Sequence, residues 1–207
     1  MADERTESRM TRVQDIVGVF LLSVTAVLTA WCGFEASKWG GEMSIAFSQA
    51  SAARIQAAGA ADQARSAQQF DLTVYAEWVV ATAEGNTELA DYIQDRFQPW
   101  FTVAFDAWQA DGMQENGPFI REEYVPPGEV EADELNARAD AKFTEALTNN
   151  QRGDNYSLLT VLFALVLFLT AMSERNVKTW ISRVLLGLAI VVACVGVGIL
   201  LTFPIKI

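Results

Sequence analysis

Three stretches of this chain carry no charged residue: Ile16 to Phe34, Asn155 to Ser173 and Val184 to Ile205. A helix needs about 20 apolar residues to cross a hydrocarbon layer of about 30 Å, and each run is long enough. Three such runs in 207 residues are more than the buried helices of a soluble core explain. The pattern predicts transmembrane helices over 13–34, 155–173 and 184–203. Between the first two lies a polar region, 35–154, whose apolar positions recur every three or four residues, the period of a helix face. Ala50, Ala53, Ala57, Ala60 and Ala64 form one narrow stripe, and Leu135, Ala139, Phe143 and Leu147 a second. These two stalks are expected to pack antiparallel as extensions of spans one and two. Gly40-Gly41 and Gly153 mark where either could bend.

The stretch between the stalks is more aromatic. Phe70, Val74, Trp78 and Ala81 line one face of a short predicted helix, and Glu84-Gly85-Asn86 reads as a turn. Leu89, Ile93, Phe97, Phe101 and Phe105 recur every four residues, with Pro99 predicting a kink or a new helix start. Asp111-Gly112 to Pro127-Gly128 is rich in helix breakers. No alternating run suggests a strand. The fold class predicted is all-α: three transmembrane helices with a helical-bundle domain inserted between spans one and two.

Charge sets the threading. Arg5, Arg9 and Arg12 precede span one, and Arg175, Lys178 and Arg183 lie between spans two and three. Basic residues near span ends favour the cytoplasm. The expected topology is therefore a cytoplasmic N-terminus at 1–12 and a cytoplasmic loop at 174–183. Residues 35–154 and the tail 204–207 lie outside the cytoplasmic (inner) membrane. Trp31, Tyr156 and Trp180 fall near span ends, as interfacial aromatics do. The start of the chain is too acidic for a signal-peptide n-region, and no small-x-small cleavage site follows, so span one is expected to be retained.

Residues 34–154 hold 21 acidic and 8 basic residues, a balance of −13. Phosphate binding needs a basic surface, so nucleic acid is not an expected partner. Membrane lipid and a protein partner, or a second copy, are. The chain has no histidine and two cysteines, Cys32 and Cys194. Ser-His-Asp and Cys-His chemistry is excluded, no metal or cofactor motif is present, and no enzyme is expected. Asp91/Asp95 and Glu131/Glu134 read as solvated helix faces. The acidic loop of Asp111, Glu115, Glu122 and Glu123 departs from the EF-hand calcium pattern. The set Trp78, Tyr92, Trp100, Phe101 and Trp108 reads as a core, with an aromatic cage for a cation or sugar as the alternative.

Within the spans no charge is fully embedded by sequence, and Ser23, Thr25 and Thr29 are the polar candidates. Ala26-x-x-x-Ala30 and Ala189-x-x-x-Ala193, with Gly196, permit close helix packing. Trp31 and Trp39 lie eight residues apart, with Lys38 and Glu42 an i,i+4 pair beside them. Together they read as interfacial anchoring, with an interface collar for a partner or second subunit at the membrane surface as the alternative.

The stretch Thr29-Ala30-Trp31-Cys32-Gly33-Phe34-Glu35-Ala36-Ser37-Lys38-Trp39-Gly40-Gly41-Glu42 resembles a signature of uncharacterised bacterial three-span membrane proteins. Its features are a Trp ending span one, then a second Trp followed closely by Gly and Glu. Asp154-Asn155-Tyr156-Ser157 running into span two is a second match. Cys32 stands where a small polar residue is expected. The resemblance implies three spans and a bacterial origin, and no activity. The reading is a non-enzymatic accessory, scaffold or assembly subunit acting through its acidic outer domain. The alternatives are an oligomeric channel or transport component, and a membrane sensor.

Overall fold

The computed structural model describes residues 2–175 and 178–206, with side chains from Arg12 onward. Met1, Asn176, Val177 and Ile207 lie outside the described residues, as do the side chains of Arg5 and Arg9 that enter the threading argument. The protein is all-α, with no strand among the described residues. The described residues form five α-helices in order: α1 Ala2–Ala83, α2 Thr87–Gln94, α3 Pro99–Ala110, α4 Glu129–Ser173 and α5 Thr179–Leu200. A single 3₁₀ turn, Pro118–Ile120, lies before α4. Segments of α1 and α4, and the whole of α5, are long and apolar enough to cross a membrane.

Two helices are longer than the sequence pattern predicts. The stripe at 70–81 is the end of α1, and no break falls at Gly40-Gly41 or Gly153. The reason is propensity. A glycine costs a helix interior about 1 kcal/mol relative to alanine, and the surrounding Ala-, Ser- and Gln-rich sequence has no proline to add to it.

The chain divides into two compact units, Ser48–Phe143 and Met1–Phe47 with Thr144–Ile207. In the second, the apolar helices meet along small faces. Leu186, Ala189, Ala193 and Gly196 are the buried positions of α5. Ala189 and Ala193 pack with Val166 and Leu169 of α4. A side chain at Gly196 would meet Phe163 at 2.9 Å. In lipid, packing of this kind holds helices together, since apolar surface gains little by leaving an apolar solvent. Span hydroxyls bond the preceding turn: Ser23 to the Val19 carbonyl, Thr29 to Thr25 and Thr170 to Val166, each at 2.8 Å. These three hydroxyls are thus satisfied within their own helices, as a bilayer would require.

In the unit Ser48–Phe143, α1 and α4 run antiparallel along an alanine seam. Ala50, Ala53, Ala57 and Ala60 are buried on α1, and Ala132 and Ala139 on α4. The α4 stripe differs from the predicted one: Phe143 and Leu147 are half-exposed, and the buried seam positions are Ala132 and Ala139. Methyl groups let the backbones approach closely. Gly128, at φ +93°, sits so near that a Cβ there would lie 2.3 Å from the Ala60 carbonyl oxygen. Arg54 clasps the α4 side of the seam, donating to Asn136 and Asp140.

The same unit holds an aromatic core. Asn86 accepts from the Leu89 N–H to start α2, and Pro99 opens α3 at its first turn, where its missing N–H costs nothing. Trp78 meets Phe105 edge-on at 4.9 Å, Phe97 meets Phe101 at 4.8 Å, and Phe101 stacks on Phe119 at 4.9 Å. Edge-to-face pairs add about 0.5–1.5 kcal/mol beyond burial.

Candidate functional site

The charge-free run of span one ends at Phe34, and the next residue is the unexpected one. Glu35 is fully buried. It shares one face of α1 with Thr25, Cys32 and Trp39, all buried. From α4, Tyr156 closes the same cluster. From the segment after α5, Phe203 packs edge-on against Tyr156 at 5.3 Å. Tyr156 donates its hydroxyl to the Pro204 carbonyl at 3.1 Å. The Lys206 backbone N–H donates to Glu35 Oε2 at 2.9 Å. The Lys206 ammonium lies 3.4 Å from Glu42 and 5.8 Å over the Trp39 ring, whose surroundings also include the Arg152 guanidinium at 4.6 Å. Residues 203–206 therefore form a strap across the end of this helix group.

The strap leaves two polar atoms without a partner: Glu35 Oε1 and Trp39 Nε1. One is an acceptor and the other a donor, four residues apart on one helix face. An unpaired buried polar group costs about 1–3 kcal/mol, more when charged. A buried carboxylate on a helix apolar enough to cross a membrane is a natural place to look for function.

The collar residues divide. Trp39 and Glu42 belong to this cluster, and Glu42 pairs with Lys206. Lys38 is exposed. Trp31 is half-buried and lines a separate apolar groove of about 390 Å³ with Leu28, Leu201 and Ile205. Ala26 and Ala30 are exposed, whereas Ala189, Ala193 and Gly196 are buried against α4. Tyr156 is wholly inside the cluster, while Trp180 is largely exposed.

In the unit Ser48–Phe143, Trp78, Phe101 and Trp108 are core, and Trp100 is partly buried. Tyr92 is exposed beneath Arg96. Two of the indole N–H groups are already used, Trp108 on the Glu115 carbonyl and Trp100 on Asp71. Asp71, fully buried, also accepts from the Tyr124 hydroxyl. Burial pushes the Asp71 carboxyl above the usual range, opposed by those two hydrogen bonds. Burial, with Asp71 as acceptor, pushes the Tyr124 hydroxyl up. In the acidic loop, Arg121 occupies the centre, pairing with Asp111 at 3.0 Å, Glu115 at 3.4 Å and Glu123 at 3.2 Å. Arg121 holds Glu123 below the usual carboxylate range.

The outer surface of the α1 end carries Leu72, Val79 and Val80, exposed by 45, 41 and 52%. Ala76 and Ala83 lie on the same face, and Glu77 and Glu84 flank it. Sequence reading missed Glu35, Asp71 and this face. Glu35 carried a usable signal, since Thr25, Cys32, Glu35 and Trp39 step by seven, three and four.

The chain matches no protein-family model, no curated protein and no solved structure.

Proposed function

We propose that this protein is a non-enzymatic accessory or assembly subunit of the cytoplasmic membrane, with residues 35–154 on the outer side. Its acidic helical domain binds one face of a partner protein. The observation that carries the reading is the open apolar face of α1, Leu72, Ala76, Val79, Val80 and Ala83, on a unit whose central aromatic cluster around Phe101 and Phe105 is packed. Apolar faces of this kind, rimmed by polar residues, mark interaction sites. The rim is acidic, through Glu77 and Glu84, in a domain with a large negative balance. The partner that fits presents an apolar ridge bordered by lysine or arginine.

The test is the mass of the complex from native membranes, with its chains identified. The expected result is a foreign subunit at fixed stoichiometry, lost in a Val79→Asp/Val80→Asp variant whose melting temperature is unchanged. A homo-oligomer without a foreign chain overturns the reading. The transport alternative draws on one observation, the buried Glu35 at a span end. Its expected outcome is ion flux in liposomes that Glu35→Gln alters, and no flux counts against it.

A further inference from the structure

The strap is held the way a binding groove holds a peptide. Every contact is one that an extended segment of any chain could make. A tyrosine hydroxyl takes a backbone carbonyl, a carboxylate takes a backbone N–H, and a ring and a second carboxylate take a lysine head. Phe203 adds an aromatic anchor against Tyr156. The fit is incomplete, because a fully buried carboxylate oxygen and a buried indole N–H stay unpaired. The missing complement is one donor and one acceptor side by side, which is what an extended backbone presents along its edge.

We propose that the end of this helix group, built on Glu35, Trp39, Glu42 and Tyr156, is a recognition groove for an extended, lysine-bearing peptide segment of a partner protein. The chain's own residues 203–206 occupy it as an internal placeholder. The partner segment displaces the strap, donates a backbone N–H to Glu35 Oε1 and offers a carbonyl to Trp39 Nε1. Its lysine takes the place of Lys206 between Glu42 and the Trp39 ring. Charge complementarity fixes the sign of the partner: Glu35 and Glu42 face the groove, and the cations near it are Lys206, which leaves with the strap, and Arg152, which stays on Trp39. Lys38 is exposed on the same helix. The inference stands on residues other than the open α1 face, so either can fail alone.

A covalently tethered occupant competes at an effective concentration in the millimolar range. The probe is a fluorescent synthetic peptide, Leu-Thr-Phe-Pro-Ile-Lys-Ile, added to the full chain in nanodiscs. In a strap-weakened variant, Phe203→Ala/Lys206→Ala, the peptide is expected to bind at least ten-fold more tightly than to the parent chain. Trp39→Phe in that background is expected to lose about ten-fold, and Val79→Asp/Val80→Asp to lose nothing. A second measurement covers a variant that fails to fold. A nitroxide at Thr202→Cys, in a chain with Cys194→Ala and otherwise intact, reports strap mobility as peptide is added. Release of the label supports the groove. Unchanged mobility at saturating peptide overturns it, as does equal binding to parent and strap variant; Glu35 and Trp39 would then enclose only water.

Discussion

The Trp100 indole N–H donates to Asp71 Oδ2 at 2.7 Å, and the Tyr124 hydroxyl reaches the same oxygen at 3.0 Å. One buried carboxylate oxygen thereby joins α1, α3 and the loop before α4. Because burial raises the Asp71 pKa in the folded protein, the folded state keeps its proton at pH values where the unfolded chain has lost it. Stability from this group is present below the ordinary carboxylate range and lost as pH rises through the raised value. The expected outcome is that thermal melts followed by tryptophan fluorescence show Asp71→Asn flattening this part of the pH profile. Glu123 acts with the opposite sign, its depressed pKa giving stability that is lost on acidification. A profile of Asp71→Asn superimposable on the parent's would refute the assignment.

Gly128 is the stop at one end of the alanine seam. Its φ of +93° and the 2.3 Å approach of a built Cβ to the Ala60 carbonyl leave no room for a side chain. Gly128→Ala combines backbone strain with a clash against main chain that has nowhere to move. The expected cost is about 2–4 kcal/mol, within the range of strained and overpacked sites. Denaturant melts of the protein in detergent would measure it, and a cost below about 0.5 kcal/mol, the scale of ordinary surface changes, would show that the seam gives way.

Arg121 pairs with three carboxylates in the loop before α4. Arg121→Ala is expected to lower the melting temperature, and added salt to shrink the difference from the parent because exposed charges are screened. Arg121→Lys is expected to restore only part of it, since one ammonium cannot reproduce the guanidinium fork. A difference that does not change with ionic strength would argue that side-chain packing, not charge, is what Arg121 supplies.

Among the apolar helices, Gly196→Leu places a branched side chain where Phe163 and Leu162 already approach within 3.2 Å of a single Cβ. The expected result is a lower melting temperature. Gly198→Leu, whose Cβ position meets nothing within 4 Å, is the matched control. Equal behaviour of the two variants would place the α4–α5 contact elsewhere.

What the sequence made legible followed from period and breakers. The three apolar helices, the turn at Glu84-Gly85-Asn86 and the new helix at Pro99 are all where pattern puts them. Register was harder. The stripe assigned to Phe70 belongs to its neighbour Asp71, and Phe70 itself is half-exposed. A hydropathy pattern favours the phenylalanine, and only the hydrogen bonds from Trp100 and Tyr124 let the carboxylate take the inner position. Glu35 was hidden for the same reason: its partner is a backbone N–H 171 residues away. Leu135 and Phe143 drew attention by size, yet a close seam selects the smallest side chains, here Ala132 and Ala139.

The alanine seam also sets how the unit Ser48–Phe143 responds to temperature. A methyl group removes little apolar area from water and gives up no rotamer freedom when it packs. The aromatic cluster around Phe101 and Phe105 hides far more area per residue. Heat capacity follows exposed apolar area, so opening the seam carries a small heat-capacity change per residue and opening the cluster a large one. On cooling, hydrophobic cohesion fades in the aromatic cluster while the seam, held by backbone proximity and van der Waals contact, keeps most of its strength.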